Sequence, residues 1–590
     1  MLERLLARQD PARPAVVAGN VRLTYGELFD RVSAFAVRLR ACGVRRGDCI
    51  VVVLSNSIEF IVALFAAAKM NCAAFTLDPA VGRAVVQGAA RSCSARIVVT
   101  ARAQFALCDG TELVAIDPAD VSDGQAIAEK ISDDAGSEQD QVPFLLQYSS
   151  GVTGLGKRIG RTQQNLVAEA QNFTTAVRLQ ASDRIICTVP LFHAHGMGNC
   201  LLAALHAGAS LVLADLSGAP TETILELIER EAVTIFPGVP FIFDALALSP
   251  ESLRPDLGSL RLCFSAGNFL SHETFCRFFD RYGIAIRQLY GCTEAGSLTL
   301  NLSTAVLESW NSVGTPLGNV QLKIHEGEIA IRSPALAAGY LDAPELNQVA
   351  FRDGWFFTGD LGRFDGQKRL YIVGRKCAIV DVGGRKVDPR EVEEVILQHP
   401  AAAEVAVVGI GHGPQTGLLK AVIVARQPCG SADITAHCKD RLAAFKCPSL
   451  IEFVDRLPKT ALGKIKRGEL IASALASDIG RSLPALERFL RRELSVLLER
   501  DAASIDSSQL ILEQGISSAQ AVQLAARIQV HTAIPVPATL IWNYPTIAAI
   551  ARWIRDRMIA GIPPAPVSAP ARLDKDGTGV PRIDETGRLT

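Results

Sequence analysis

Hydrophobic positions repeat with two different periods over most of the chain. From residue 21 to about residue 373, short runs of β-branched residues alternate with segments whose apolar residues recur every three or four positions. This alternation is typical of a parallel sheet covered by helices, so we predict a large α/β domain over residues 1–373. The runs are CIVVVL, ARIVVT, RIICTV, SLVLA, VTIFP and LRLCFS.

A shorter unit follows residue 373. A glycine-rich loop precedes a predicted helix at 389–398, two apolar strands, another helix and a basic segment that extends through Lys464. This order predicts a small, mobile α+β domain over residues 374–470. Residues 471–484 have little periodicity and are interpreted as a linker.

The last periodic segments are helical. Residues 485–500 and 518–529 have helical spacing, and Pro545 is suited to the first turn of a further helix. We therefore predict a four-helix bundle over residues 485–558. Residues 559–590 are rich in Pro, Ala and polar side chains and are predicted to be disordered.

Composition excludes several classes of partner. The 60 Lys and Arg residues nearly balance the 61 Asp and Glu residues, so no long-range field attracts nucleic acid or an anionic membrane. The apolar stretch 201–214 is shorter than the ~20 residues of a membrane span, and no signal peptide pattern opens the chain. We expect a cytoplasmic protein whose 14 scattered cysteines are reduced thiols rather than zinc ligands.

One loop has the chemistry of a polyphosphate cradle. Within QYSSGVTGLGKRIGRTQQN (147–165), two serines, a threonine, three glycines and a lysine fall within nine residues. Such a loop offers amides, hydroxyls and one cation to phosphates, although an ordinary flexible turn has the same composition. A Walker A loop is excluded, because Arg158 stands where that motif needs a hydroxyl.

Further motifs follow this loop in a fixed order, and together they resemble the adenylate-forming superfamily of acyl-CoA synthetases, nonribosomal adenylation domains and luciferases. The resemblance covers residues 20–470. The motifs are PLFHAHGMGN (190–199), SAG (265–267), QLYGCTEAG (288–296), GEIAIRSPALAAGY (327–340), GWFFTGDLGRF (354–364), GRKCAIVDVGGRKVDPREVE (374–393) and LPKTALGKIKR (457–467).

The resemblance implies that the protein activates a carboxylic acid with ATP and Mg²⁺. It implies phosphate contacts by the loop, adenine stacking on Tyr290, ribose binding by Asp360 and Arg375, and Mg²⁺ binding by Glu294. It also implies catalytic roles for Thr293 at the α-phosphate, for Lys464 between carboxylate and phosphate, and for His193. The residues implied to bind ATP are Ser149, Ser150, Gly151, Thr153, Gly154, Lys157, Gly267, Tyr290, Gly291, Thr293, Asp360 and Arg375.

The chain departs from the family pattern at a few positions. Val152, Gly156 and Gln163 replace a hydroxyl, a proline and a histidine that are usual in the phosphate-loop motif. Cys377 stands at the hinge, where Asp or Lys is usual, and glycines 383–384 correspond to the loop facing the pantetheine channel. We expect the phosphate role to survive, while the hinge polarity is altered.

The acid is predicted to lack an α-amino group. Adenylation domains for α-amino acids place an aspartate after the phenylalanine of the fourth motif, but here His193 follows Phe192. A buried ammonium without a counter-charge is costly. We expect His193 to gate or orient a fatty or aryl acid; the alternative is that His193 and His195 are core histidines. The predicted acid pocket contains Phe192, His193, Phe241, Ser265 and Ala266.

The C-terminal bundle resembles acyl and peptidyl carrier proteins. QGISSAQAVQLAARI (514–528) aligns Ser518 with the serine that receives 4′-phosphopantetheine, although Ser517 replaces the usual aspartate. The alternative is a serine that only caps a helix. The resemblance implies a phosphopantetheinyl transferase as partner, and downstream polyketide synthase or nonribosomal peptide synthetase modules.

Three hypotheses for the whole chain remain open from the sequence. The favoured one is adenylation of the acid and its transfer to the phosphopantetheine on Ser518, giving a tethered starter unit. The second is a ligase that releases a CoA thioester, with the carrier loaded in trans. The third is an inactive adenylation fold that acts as a carrier or docking protein.

Overall fold

The computed structural model confirms an α/β protein with a helical C-terminal unit. Contact patterns divide it into two compact units, one formed by Met1–Gly409 with Leu419–Leu470 and the other containing the described chain after residue 470. The structure describes residues 1–120, 142–149, 157–214, 221–250, 252–376, 380–382, 385–410, 418–460, 463, 465–476, 483–498, 500–501, 504–532, 534, 536–537 and 540–560.

A six-stranded sheet carries the strand that enters the predicted phosphate loop. Its first five strands are parallel, and the last pair is antiparallel. Because parallel strands are covered on both faces, they are apolar throughout rather than alternating. In spatial order the strands are Val114–Ile116, Ile97–Thr100, Cys49–Val53, Ala73–Thr76, Leu145–Tyr148 and Arg158–Arg161.

A nine-stranded sheet carries most of the later motifs at its strand ends. Its central strands are parallel, and both margins are closed by antiparallel strands. In spatial order the strands are Thr315–Pro316, Gly296–Leu300, Arg287–Cys292, Leu262–Ser265, Ile235–Gly238, Arg184–Cys187, Ser210–Leu213, Pro14–Ala18 and Val21–Thr24. The six runs identified in the sequence are therefore parallel strands, but they belong to two sheets rather than one.

The segment up to residue 375 ends in a third, antiparallel sheet, so the prediction of a parallel sheet as far as residue 373 is wrong there. The long strand Trp355–Phe364 pairs with three neighbours and brings Asp360 opposite Arg375. The other strands of this sheet are Gln321–His325, Glu328–Arg332, Phe351–Arg352 and Leu370–Arg375.

The small α+β part has the predicted elements. A two-stranded ladder pairs Val380–Val382 with Arg385–Val387, and a three-stranded sheet contains Ala402–Ile410, Leu418–Ala425 and Leu450–Phe453. Helix Pro389–Leu397 ends one residue before the predicted end. Cys377 and residues 383–384 lie outside the described residues.

Helices cover these sheets, and two of them begin with a reciprocal capping box. The side chain of Thr24 caps the helix that follows it, and Thr162 does the same for the helix that carries Glu169. The helices of this unit are Glu3–Ala7, Tyr25–Ala41, Ile58–Lys69, Arg83–Ser92, Gln163–Val177, Ala203–Ala207, Thr223–Arg230, Pro240–Ala247, His272–Tyr282, Pro344–Ala350, Pro389–Leu397 and Ser431–Lys439. Helix Arg467–Ala476 begins in this unit and continues past its last residue, Leu470. Short 3₁₀ turns occur at Arg102–Cys108, Pro118–Asp120 and Ala444–Lys446.

A π-helix was not predicted. It spans Gly196–Leu202, directly after the two histidines of the fourth motif, and is wholly buried. Such wide turns are rare and occur frequently at functional sites.

The second unit contains four described α-helices: Leu483–Leu498, Ser518–Thr532, Leu540–Asn543 and Ile547–Ala560. A 3₁₀ turn at Ile511–Gln514 lies in the long connection between the first two. Leucines and isoleucines at helical spacing form a core of their own, which supports an independently folded bundle.

The domain bounds themselves stay predictions. Helix Arg467–Ala476 includes residues 471–476, which the sequence analysis assigns to the linker, and helix Ile547–Ala560 extends two residues past the predicted end of the bundle. In the described part of the chain, every helix is too short or too polar to cross a membrane.

Candidate functional site

The predicted phosphate loop joins two antiparallel strands of the six-stranded sheet, with Tyr148 opposite Arg158. The amide of Ser149 donates to the carbonyl of Lys157 over 2.8 Å and closes the base of the loop. The ammonium of Lys157 lies 4.5 Å from the ring centroid of Tyr340. Ser150, Gly151, Val152, Thr153, Gly154 and Gly156 lie outside the described residues.

Glu294 is a buried carboxylate in the turn between strands Arg287–Cys292 and Gly296–Leu300. Its Oε1 accepts a 2.9 Å hydrogen bond from the hydroxyl of Tyr340. Burial, together with the nearby carboxylate, raises the pKa of the Tyr340 hydroxyl, so that this group remains a donor. A carboxylate oxygen is a hard ligand of the kind Mg²⁺ prefers, with phosphates and water completing the shell, so Glu294 fits the predicted metal role.

Three residues predicted to bind the nucleoside meet around one carboxylate. Asp360 accepts from the Tyr290 hydroxyl at Oδ2 over 2.7 Å and from Arg375 Nε at Oδ1 over 2.6 Å. Burial and the charge of Asp360 raise the pKa of Tyr290 well above its usual value, so Tyr290 is also a neutral donor. Because a carboxylate has about four lone-pair sites, Asp360 retains acceptors for ribose hydroxyls.

The turn after Tyr290 is packed against a buried ion pair that the sequence analysis missed. Glu169 Oε2 accepts from Arg161 Nη1 over 2.5 Å, and its Oε1 accepts from the amide of Ser297 over 3.2 Å. Gly296 has φ +68°, and a Cβ there would lie 2.0 Å from the Glu169 carboxyl carbon. Thr293 lies half-buried in this turn.

Side-chain amides fix the segment that carries the fourth motif. Asn56 donates to the carbonyl of Val189 over 2.9 Å and accepts from the amide of Leu191 over 2.7 Å. Gln147 donates to the carbonyl of Phe192 over 2.6 Å. The Gln147 contact therefore holds Phe192 beside the strand that enters the predicted phosphate loop. The ring of the half-buried His193 lies 5.8 Å from that of Phe192.

His195 is a buried, hydrogen-bonded histidine. Its Nε2 lies 3.0 Å from the carbonyl of Gly238, and its Nδ1 lies 2.8 Å from the side-chain nitrogen of Asn199. Asn199 in turn accepts from the hydroxyl of Ser297 over 2.6 Å. Burial lowers the pKa of His195 to about 4, so the ring is neutral at pH 7. His195 is therefore a core histidine, which was one of the two alternatives for this pair, whereas His193 is half-buried.

The predicted pocket walls come to the same strand ends. Ser265 lies opposite Gly238, and the amide of Ala266 donates to the Gly238 carbonyl over 3.1 Å. Gly267 follows with φ +83°. Phe241 is 45% exposed and lies against Gly463, where an added Cβ would be 2.5 Å from the ring. Lys464 lies outside the described residues.

Gln163, which replaces a usual histidine, has structural hydrogen bonds here. Its amide accepts from the backbone of Leu2 over 2.8 Å and donates to the carbonyl of Ala68 over 3.1 Å.

The two serines of the carrier motif differ in their hydrogen bonding. Ser517 is the residue before helix Ser518–Thr532; its hydroxyl accepts from the amide of Gln520 over 3.3 Å and donates to the Gln520 side chain over 2.8 Å. The backbone amide of Ser517 also donates to that side chain over 2.9 Å, which completes a reciprocal cap. Ser518 is then the first helical residue, and its side chain lies outside the described atoms.

Sequence reasoning missed Tyr340, Glu169 and Asn199. Tyr340 ends one of the quoted motifs, and Asn199 ends another, but neither position has a local pattern that indicates a contact with residues far along the chain. The glycines that Glu169 crowds, Gly198 and Gly296, are the signal that was present, because a glycine is required where another group approaches the backbone closely.

An α/β fold that brings the end of a glycine-rich loop close to a buried carboxylate is typical of nucleotide-dependent enzymes. Comparison with known proteins narrows this class. The AMP-binding enzyme family matches residues 4–341, the AMP-binding enzyme C-terminal domain matches 391–464, and the phosphopantetheine attachment site matches 488–554. The chain belongs to the AMP-binding enzyme family.

Relatives and solved structures agree with this assignment. Feruloyl-CoA synthase of Amycolatopsis sp is 32% identical over 490 residues, covering 79% of this chain and 96% of that protein. Naringenin synthase of Pestalotiopsis fici is 29% identical over 616 residues, covering 93% of this chain and 22% of that protein. O-succinylbenzoate coenzyme A synthetase of Bacillus subtilis, solved with ATP and magnesium, has a TM-score of 0.71 and 27% identity, covering 80% of this chain and 98% of that one.

These matches confirm the predicted adenylate-forming family, the α/β architecture and the fused carrier domain. The chain is an acid–thiol ligase of the acyl- and aryl-CoA ligase type, with a nucleotide-binding fold and a phosphopantetheine attachment domain. The predicted cofactors are confirmed by these matches: ATP by the AMP-binding enzyme family, and 4′-phosphopantetheine by the phosphopantetheine attachment site. Mg²⁺ is supported by the similar structure solved with ATP and magnesium.

Proposed function

We propose that this enzyme activates a carboxylic acid without an α-amino group and loads it onto its own carrier domain. In the first step a carboxylate oxygen attacks the α-phosphorus of ATP, giving an acyl-adenylate and releasing pyrophosphate. In the second step the pantetheine thiolate attacks the acyl carbon, giving a thioester and releasing AMP. The product is a starter unit for polyketide or nonribosomal peptide assembly.

The observation that carries the first step is the pair of polar clusters around the turn at 290–296. The Lys157 ammonium lies against the Tyr340 ring, and the Glu294 carboxylate accepts from the Tyr340 hydroxyl. A cation and a carboxylate brought to one side chain suit a magnesium triphosphate. Tyr290, Asp360 and Arg375 form the neighbouring set that suits adenine and ribose. Bound Mg²⁺ neutralises phosphate charge, and the protein's part is to hold the reacting groups in line.

Individual roles follow the predicted assignment. Lys157 and the loop residues Ser149, Ser150, Gly151, Thr153 and Gly154 bind the leaving phosphates, and Glu294 holds the metal. Tyr290 stacks on adenine, while Thr293 contacts the α-phosphate. Lys464 bridges the carboxylate and the phosphate during adenylation. Gly267 and Gly291 permit close approach of the nucleotide to the backbone.

The proposed acid is aryl or fatty. His193 stands beside Phe192 where an α-amino acid site needs a carboxylate, and Phe241, Ser265 and Ala266 supply walls without a formal charge. Two of the relatives, feruloyl-CoA synthase and o-succinylbenzoate coenzyme A synthetase, have names that refer to aromatic acids. We therefore favour an aryl acid over a fatty acid.

The choice of Ser518 as the acceptor is supported by the hydrogen bonds of Ser517. The Ser517 hydroxyl is engaged with Gln520, so Ser518 at the first helical position is the better acceptor for phosphopantetheine. Naringenin synthase aligns with both parts of this chain, which also favours a fused activating and carrier pair. A phosphopantetheinyl transferase is the required partner, and we place the reaction in the cytoplasm.

The test begins with acid-dependent pyrophosphate exchange over aryl, fatty and α-amino acids. We expect exchange with one aryl or fatty acid, and preference for an α-amino acid would refute the His193 argument. Absence of exchange with every acid would instead favour an inactive fold that serves as a carrier or docking protein.

Loading is then followed by the intact mass of the pantetheinylated protein with ATP and the preferred acid. Acylation of wild type at protein concentrations low enough to exclude exchange between molecules supports transfer in cis. The CoA-ligase alternative, favoured by the similarity to CoA ligases, predicts instead that Ser518→Ala releases acyl-CoA at the wild-type rate.

A further inference from the structure

Tyr340 touches both charged groups assigned to magnesium and triphosphate. Its hydroxyl donates to Glu294 over 2.9 Å, and its ring centroid lies 4.5 Å from the ammonium of Lys157. The side chain is almost fully buried. One buried side chain therefore contacts a cation through its ring and a carboxylate through its hydroxyl.

The contact of both charges with one neutral side chain has an electrostatic consequence. Opposite charges in contact attract strongly where water is excluded, and they would pair with each other. A direct pair between Lys157 and Glu294 would occupy the groups needed by phosphate and metal. The ring offers Lys157 a cation–π contact and Glu294 a hydrogen bond, and both leave the charges available to a ligand.

The position of Tyr340 is fixed by neighbours that do not belong to the nucleotide site. Its amide donates to Asn347 Oδ1 over 2.7 Å, and Asn347 Nδ2 donates to its carbonyl over 2.9 Å. The ring also meets Phe351 edge-on, with centroids 5.6 Å apart. Gly339 lies so close to Asn347 that a Cβ would come within 2.9 Å of its amide nitrogen. The tyrosine is thus held before any nucleotide binds.

The same segment contacts the backbone of Glu294 and the residue that follows Lys157. The amide of Leu341 donates to the carbonyl of Arg158 over 2.9 Å, and Asp342 pairs with the Arg158 side chain over 2.5 Å. The amide of Ala337 donates to the carbonyl of Glu294 over 2.8 Å. One short stretch, residues 337–342, therefore contacts both Glu294 and the end of the predicted phosphate loop.

We propose that Tyr340 is a positioning residue for magnesium ATP, orienting Glu294 through its hydroxyl and Lys157 through its ring. This inference rests on the proposed function. It assigns separable roles to two parts of one side chain: the hydroxyl acts on the metal carboxylate, and the ring acts on the phosphate cation.

The test uses ATP binding measured by calorimetry, with and without Mg²⁺, in Tyr340→Phe and Tyr340→Leu. Loss of a hydrogen bond to a charged group corresponds to about tenfold in binding. For Tyr340→Phe we expect that the Mg²⁺ concentration giving half of the full Mg²⁺-dependent gain in ATP affinity rises about tenfold. The affinity for ATP without Mg²⁺ should be unchanged. For Tyr340→Leu we expect metal-free affinity to fall several-fold as well, because the ring is lost.

Tyr282→Phe is the matched control. Its hydroxyl donates to the carbonyl of Leu246 over the same 2.9 Å, away from this cluster, so it should leave both measurements at wild-type values. Equal Mg²⁺ dependence in Tyr340→Phe and wild type would overturn the proposal, as would an equal loss of affinity with and without Mg²⁺. Failure of the wild-type protein to bind ATP at all would refute the proposed function instead.

Discussion

Removing the negative charge of Glu169 should strongly destabilise the large unit, because this charge is half of a buried ion pair. Glu169 and Arg161 each have side chains only 1% exposed and form a 2.5 Å pair. Among the described residues, Arg161 Nε and Nη2 have no hydrogen-bond partner, so the glutamate carries most of the compensation for the guanidinium. In Glu169→Gln the amide oxygen can still accept from the Ser297 amide, but the amide nitrogen then faces Arg161 Nη1, so both the charge and the hydrogen bond to the guanidinium are lost.

The expected loss is about 3–5 kcal/mol in free energy of unfolding, the usual cost of breaking a buried ion pair by removing one partner. Urea unfolding followed by tryptophan fluorescence measures it. Arg161→Met should cost a similar amount because it leaves a buried carboxylate. The double variant should lose clearly less than the sum of the two single losses, since no unpaired charge remains. A single-variant loss below about 1 kcal/mol, or simple additivity, would refute this account of the pair.

Two further predictions concern glycine and serine positions. Gly296→Ala should abolish most pyrophosphate exchange, because its Cβ would lie 2.0 Å from the Glu169 carboxyl carbon. Gly283→Ala is the control: its φ is nearly the same (+67° against +68°), but a Cβ there has nothing within 4 Å, so activity should be retained. Equal losses in the two variants would mean that backbone strain alone is responsible. Ser517→Ala should lower the stability of the carrier unit by about 1 kcal/mol through loss of the cap yet keep phosphopantetheinylation, while Ser518→Ala should lose modification in intact-mass spectra. Modification that survives Ser518→Ala and disappears in Ser517→Ala would reverse the assignment.

The order of motifs in the sequence predicted the family, the α/β class and the carrier bundle. It did not reveal that the parallel strands form two sheets. A strand buried on both faces is uniformly apolar in either sheet, so CIVVVL and RIICTV read alike although they lie in different sheets. Assignment to a sheet depends on long-range pairing, which is absent from local patterns.

The site was predictable where a residue acts through its own chemistry and not where it acts through another residue. Asp360 and Arg375 were identified together, and their strands bring them into direct contact. Tyr340 and Glu294 are 46 positions apart, and nothing near either one indicates the hydrogen bond. The Ser517 cap was readable as Ser-x-x-Gln, but the sequence analysis considered Ser518 as the possible cap instead.

The buried His195 leads to a prediction of how the stability of the protein depends on pH. Burial lowers the pKa of His195 to about 4, against about 6.5 in an unfolded chain, and the Gly238 carbonyl offsets only part of this effect. Because Asn199 donates to Nδ1, the single ring proton lies on Nε2 and is donated to Gly238. Ser297 donates to the oxygen of the same amide, which fixes its orientation.

Between pH 6.5 and 4 the unfolded chain binds a proton at this residue that the folded protein does not bind, so stability should fall as pH is lowered through this window. The full effect is about 3 kcal/mol. His195→Gln supplies an amide donor for Gly238 but no titrating group, and His206, whose pKa burial also lowers, is present in both proteins and cancels. Free energies of unfolding measured across the window should therefore fall more steeply in wild type than in His195→Gln. Parallel curves would mean that His195 is protonated in the folded protein and that the neutral hydrogen-bonded chain from Gly238 to Ser297 does not exist as described.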